Sequence, residues 1–435
     1  MRCLGFFEYL VALFLTPLEI FQHKLIRMRK QLPQTLTFKT LCLLLFLCFA
    51  QISFAQPKLI LTPLISNLNK PIAVRNADDG SGRIFICEQS GLIKIYKNGT
   101  LLSKPFLDLR SIVEGNQEYP GLYSIAFAPD YETSRYFFVY YVTKDNYTIL
   151  ARYQTSKKNP DSAVFSSGVT LISINGRGTG GAHTGDMHFG KDGYLYISFN
   201  DGSFYANATK FAQDGDSFLG KILRLNVSVK NAPYYSVPAD NPFVNNPTIK
   251  SEIWAFGIRN AWRWSFDRFN NFMWVSDVGA DKWEEVSVRT PAQPAGPNFG
   301  WPCYEGNARF DTTGCKAKKN YVFPVFQYKH VSATSAEVIT GGYVYRGTDY
   351  PSLYGYYVCA DYTTGNAWRI LRGENAVIVP FKQTGLPTGI VDFGEDESGE
   401  LYASSLSNGI VYRVGATPAV IIASTNVSKE KAYSK

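Results

Sequence analysis

Charge, histidine and helical periodicity are what this sequence has least of. Only 18% of its 435 residues are charged, and it holds 4 His and 4 Met. No stretch after residue 56 sustains a helical period, which excludes bundles and coiled coils. No apolar run reaches the ~20 residues of a membrane-spanning helix, so a multi-span membrane protein is excluded as well. Beyond the first 55 residues there is no basic cluster interleaved with aromatics, which argues against nucleic acid as a partner. With 45% hydrophobic residues the chain is also too apolar for disorder. What it has in abundance is aromatic and turn residues: 30 Phe, 28 Tyr, 36 Gly and 22 Pro. That mixture marks a mostly β protein with a sizeable core.

The ends differ from the middle. Lys24, Arg27, Arg29, Lys30 and Lys39 precede the apolar run 41–50 (LCLLLFLCFA), and Ser53-Phe54-Ala55 follows as a small-x-small site. This is the pattern of a secretory signal peptide over 1–55, with Met28 a more ordinary start than Met1. Six Lys/Arg and two Glu leave with it, so the formal charge falls from +8 to +4. Four cysteines remain: Cys87, Cys303, Cys315 and Cys359. An even count in a secreted chain points to two disulfides with three connectivities open. Cys303 and Cys315 flank one loop and are paired here, which leaves Cys87 with Cys359. Sequons at Asn98, Asn146, Asn207, Asn226 and Asn426 agree with a secreted glycoprotein. Residues 417–435 read as a flexible tail.

From 56 to 416 the chain repeats short aromatic strands joined by small-residue turns. Examples are 83–87 with 92–96, 136–142 with 148–153, 194–199 with 221–225, 271–276 with 283–288, 356–360 with 366–371, and 401–405 with 409–414. Six copies spaced by about 40–80 residues predict an all-β, six-bladed β-propeller, with function at the mouth of the central channel.

Candidate chemistry falls on the longer loops. His183 lies in a glycine-rich stretch (GRGTGGAHTGDMHFGKDG) and is a candidate general base. A metal pair of His183 with His188, aided by Asp186, is a weaker reading, because nothing completes the ligand set. Arg259 and Asn260 follow Gly257 at a turn, where a guanidinium can hold a carboxylate or polarise a carbonyl. The alternative is cation–π packing, for which Arg263 is the better placed. The turn DVGADKWEE offers the carbonyls of Gly279 and Ala280 to a hard cation such as calcium. The alternative there is that Glu284 and Glu285 are a solvated strand edge.

Together, LYSIAFAPDY (122–131), HTGDMHFGKDGYLYIS (183–198), LGKILRLNV (219–227), IWAFGIRNAWRWSFD (253–267), DVGADKWEEVS (277–287) and GPNFGWPCYEG (296–306) resemble the glucose/sorbosone dehydrogenase family. The resemblance covers about residues 60–415, and FGEDESGELY (393–402) places it nearest the hedgehog-interacting-protein-like branch. It implies a six-bladed propeller, and an oxidoreductase that passes hydride from the C1 hydroxyl of an aldose to pyrroloquinoline quinone (PQQ). On that template His183 is the base, with Asp186 where the motif has its second Gly. Arg259 and Asn260 contact quinone and substrate, and Gly279 and Ala280 hold calcium. Three departures stand out: Pro120 before Gly121-Leu122-Tyr123, and no basic residue at 362–364 or 388–391. They favour the alternative of an inactive secreted propeller that binds a protein or glycan ligand at the same mouth.

Overall fold

The computed structural model describes residues 52–115, 121–176, 184–202, 210–331, 337–373, 376–418 and 420–423. One compact unit, Pro57–Pro418, contains six antiparallel sheets of four or five strands that succeed one another along the chain, besides the short pair Tyr304–Glu305 with Ala308–Arg309. They are the six blades of a β-propeller, as the repeat predicts.

The first strand of each blade is the innermost. These inner strands are Pro71–Asn76, Leu122–Phe127, Met187–Phe189, Arg263–Phe266, Ile339–Val344 and Ile390–Glu395, in blades 1 to 6. The second and third strands are those legible in the sequence, for example Tyr136–Val142 with Tyr147–Thr155 in blade 2. Blade 6 is completed from the far end of the chain. Leu59–Ile65 adds its outermost strand by pairing with Ile410–Ala416, Leu59 opposite Ala416 and Ile65 opposite Val411. This closure ties the start of the unit to its end, and no local signal announces it.

Aromatic side chains fill the space between blades. Phe85 of blade 1 and Phe127 of blade 2 stand 4.4 Å apart, and Trp274 of blade 4 stacks at 4.5 Å on Tyr357 of blade 5. Each such ring buries about 150–250 Å², which at about 25 cal/mol per Å² is a gross gain of about 4–6 kcal/mol.

The axis is not apolar. Arg75, Asp186, Arg263 and Asp392, one each from blades 1, 3, 4 and 6, are buried there together. Arg75 reaches Asp186 at 2.6 Å and Asp392 at 2.9 Å, and Arg263 Nε lies 2.6 Å from Asp392. Ser124 of blade 2 donates to Asp186 at 2.6 Å, and His188 Nε2 lies 3.1 Å from the same carboxylate. Arg263 also donates to the carbonyls of Ile72 (2.7 Å) and Tyr123 (3.2 Å), so it ties inner strands of three blades. Two guanidinium and two carboxylate charges balance, as burial of ions requires.

Cys303 and Cys315 form the expected disulfide, with Cα atoms 5.8 Å apart. The second expected bridge is absent. Cys87 sits in Ile84–Glu88 of blade 1 and Cys359 in Tyr356–Asp361 of blade 5, each a free, fully buried thiol in the core of its own sheet. Even parity misled because a buried cysteine also serves as a small apolar residue.

A second unit comprises residues 1–56 and 419–435. Its described part is a two-stranded ribbon in which Ile52–Ala55 pairs antiparallel with Val420–Ala423. Val420–Ala423, part of the expected flexible tail 417–435, lies in this ribbon. No helix among the described residues is long and apolar enough to cross a membrane.

Candidate functional site

Two kinds of loop face one mouth of the channel, called here the upper mouth: the connections between blades, and those between second and third strands. Arg259 and Asn260 lie on the connection from Ile253–Ala255 of blade 3 to Arg263–Phe266 of blade 4. Gly257 precedes them at φ 75°, and a Cβ there would meet the Gly300 amide nitrogen at 2.6 Å. Only glycine allows the loop to lie this close to 298–301.

Asp277 fixes the Arg259–Asn260 turn. Its carboxylate accepts the backbone N–H of Arg259 at 2.9 Å and of Asn260 at 2.5 Å. Asn260 O accepts the amide of Val278 at 3.0 Å, and the Arg259 guanidinium donates to Val278 O at 3.0 Å. The guanidinium stands 5.7 Å from the centre of the Trp301 ring, whose Nε1 donates to Asp201 at 2.6 Å. Thr184, beside the glycine-rich stretch, donates to Asn260 Oδ1 at 2.7 Å. Arg263 does pack on Trp262, at 4.7 Å, in addition to its place on the axis.

The turn at Gly279 and Ala280 joins Met273–Asp277 to Trp283–Arg289. Glu305 organises it. One carboxylate oxygen accepts the amides of Ala280 (2.8 Å), Asp281 (2.7 Å), Lys282 (2.9 Å) and Trp283 (3.3 Å). With the amides turned to Glu305, no described donor bonds to Gly279 O or Ala280 O. Those carbonyls have the chemistry of calcium ligands. Among the described residues, however, no group of three or more His, Cys, Asp or Glu could hold a metal.

The acids around this turn are not a solvated edge. Glu284 and Asp277 are buried, and Glu285, opposite Asp277 in the ladder, is 9% exposed. Glu284 accepts from His330 at 2.8 Å and from the Ile339 amide at 2.9 Å. Burial, with Asp201 adding to it against the two amides and Arg259, pushes the Asp277 carboxyl up to about 7. Burial and the neighbouring Asp277 charge push Glu285 well above its ordinary range.

An expected pH dependence follows. Unfolded Asp ionises near pH 3.9, so the folded state binds more protons between there and about 7, and stability falls as pH rises through that window. Asp277→Asn should remove up to about 1.4 kcal/mol per pH unit of that slope. Melting temperature against pH, from 4.5 to 8, checks it; parallel curves for the two proteins would refute the assignment.

The other expected residues fall elsewhere. His183 and Pro120 lie outside the described residues. His188 points to Asp186 on the axis, not to the upper mouth, and Asp186 is already engaged by Arg75 and Ser124. Of the His183/His188 pair with Asp186, the described members His188 and Asp186 are bonded to each other and Asp186 to Arg75. The stretch 362–364 is closed by Asp361, one of whose oxygens accepts both the amides and the hydroxyls of Thr363 and Thr364 at 2.8–3.0 Å. At 388–391, Ile390 O accepts from Thr340 and Val391 O from the Trp262 indole. Neither segment supplies a cation or a spare donor pair for a carboxylate. A tricarboxylate such as PQQ therefore does not fit these two walls.

Comparison with known proteins places the fold. Residues 68–409 match the family described as Glucose / Sorbosone dehydrogenase. The chain belongs to that family. HIPL2 protein of Arabidopsis thaliana is 30% identical over 77% of this chain and 60% of its own length. Human Hedgehog-interacting protein is 27% identical, over 81% of this chain and 52% of its own. The chain thus spans only about half to three-fifths of these relatives. The PQQ-bound aldose sugar dehydrogenase of Streptomyces coelicolor superposes with a TM-score of 0.62, at 20% identity, covering 83% of this chain and 99% of that one. That likeness is one of fold.

Sequence reasoning missed Asp277, Glu305 and Asp201 as the groups that brace these loops. Asp277 and Glu305 stood inside the quoted motifs DVGADKWEE and GPNFGWPCYEG, but their backbone partners lie on other loops and leave no local signal.

Proposed function

We propose that this chain is a secreted propeller that binds a polyhydroxylated ligand, a sugar or glycan chain, at the upper mouth without holding PQQ tightly. The observation that carries the reading is the contrast between two halves of the mouth. On one side Arg259 and Asn260 are braced by Asp277, presenting a half-buried guanidinium and carboxamide, groups that suit hydroxyls. On the other, the walls at 361–364 and 388–391 carry no cation and are internally bonded. Each missing charge-assisted hydrogen bond removes about 1.5–3 kcal/mol from carboxylate binding. The Cys303–Cys315 disulfide and the exposed Asn98 turn support the secretory route.

The second reading is aldose oxidation. It is favoured by the retained Arg259–Asn260 pair with the unpaired Gly279 and Ala280 carbonyls, which would be calcium ligands, and it assigns His183 the base.

Calorimetric screening of aldoses and oligosaccharides against the native protein and Arg259→Ala tests the first reading. Binding weakened by at least about tenfold in the variant is expected, one charged hydrogen bond being worth that much. Equal affinity in both proteins, or no sugar or glycan bound at all, would overturn it.

A further inference from the structure

The opposite end of the channel opens into a cavity of about 830 Å³. It is bounded by first-to-second-strand loops, the other set from those at the upper mouth, and Arg75 and His188 form part of its lining. The buried ion cluster on the axis therefore lies between the two mouths, and a ligand here would be independent of one at Arg259.

Its volume is in the range of small-molecule sites, about 300–1,000 Å³. Phe127, Tyr131, Phe189, Phe266 and Tyr343 supply an aromatic wall. The arginines in the lining are already paired with acids, and Lys191 is bonded to a carbonyl. Arg75 is paired with Asp186 and Asp392, Arg268 lies 3.3 Å from Glu395 and donates to Glu397 O, and Lys191 donates to Phe269 O. Asp267 is likewise committed, to Arg346 at 2.6 Å.

What is left over accepts. Asp78, Asp130, Glu132 and Glu397 line the cavity, and none has a cation partner among the described residues. Two buried acceptors of the same lining, Asn271 Oδ1 and Glu397 Oε1, meet no donor. The one orphan donor there is Arg75 Nε, on a side chain whose terminal nitrogens are both ion-paired. Acceptors without donors beside aromatic faces call for a cation on an apolar stem.

We infer that the lower mouth binds an organic cation, a primary ammonium or guanidinium group, with its stem against the Phe127–Tyr131 wall and its charge toward Glu397 and Glu132. The same chemistry can come from a free polyamine or from a Lys or Arg side chain of a peptide.

Titration of the native protein with spermidine and with a capped arginine tripeptide, at low and at 0.5 M salt, tests this. Saturable binding of either probe is expected, weakened at least about tenfold in a Glu132→Gln, Glu397→Gln double variant and by the added salt. Preference for spermidine identifies a free amine, and preference for the tripeptide a peptide. Glu132 is exposed and Glu397 half-buried, and an unchanged melting temperature shows that the variant is folded. Arg259→Ala should leave this binding untouched, which separates it from the upper mouth. Neither probe binding at about 10 mM, affinity unmoved by the substitutions, or equal binding of uncharged 1,6-hexanediol would each overturn the inference.

Discussion

Replacing Asp186 by Ala should cost the propeller about 3–5 kcal/mol, the usual consequence of breaking a buried ion pair from one side. In the native protein this carboxylate is held well below the usual range; burial alone would raise it, but Arg75, His188 and Arg263 outweigh burial. Without it, two buried guanidinium groups share Asp392 alone, and Ser124 and the Met187 amide lose the acceptor they reach at 2.6 and 2.8 Å. On the per-residue entropy scale the expected fall in melting temperature is about 4–7 °C. Asp186→Asn keeps shape and one acceptor and should lie between. A double-mutant cycle with Arg75→Ala gives the sharper test, since removing both partners should cost less than the sum of the single losses. Strict additivity would mean that the cluster is not an energetic unit.

Glu305→Ala carries the second large effect. Four amides converge on one oxygen, and their acceptor vanishes in a turn with no other acid placed to replace it. Hydrogen bonds to a charged acceptor are worth about 1.5–3 kcal/mol each but do not add on a shared atom. Removing Glu305 also relieves the repulsion it exerts on Glu285. A net loss of about 2–3 kcal/mol is expected, concentrated locally. Hydrogen exchange at 280–283 should accelerate by at least about tenfold while that of blade 6 stays unchanged. Glu305→Gln, which retains the oxygen, should recover part of the protection. Uniform acceleration across the molecule, or none at the turn, would contradict the role given to this residue.

How much of this was legible in the sequence depends on what each strand faces. Second and third strands, such as Tyr136–Val142 and Leu401–Ser405, declare themselves through aromatic and β-branched residues. Inner strands do not, because Arg75, Ser265, Thr340 and Asp392 occupy positions where periodicity expects apolar side chains, and each has a bonding partner on another blade. Closure by Leu59–Ile65 pairs residues more than 340 positions apart and is invisible locally. At the upper mouth, the sequence located Arg259–Asn260 and Gly279–Ala280 separately. The structure brings them together through Asp277 and Val278. The Cys87–Cys359 pairing failed because counting cannot separate a thiol that packs from one that bonds.

The central claim is that the upper mouth, at its described walls 361–364 and 388–391, offers no cation to a tricarboxylate such as PQQ. Calorimetric titration of PQQ into the purified protein, with calcium present, tests it most directly. With two cation-bearing walls absent, each lost contact weakens binding by about 10- to 150-fold, and no saturation is expected up to about 100 µM cofactor. Stoichiometric, calcium-dependent binding within that range would contradict the claim and make aldose oxidation the function of this mouth.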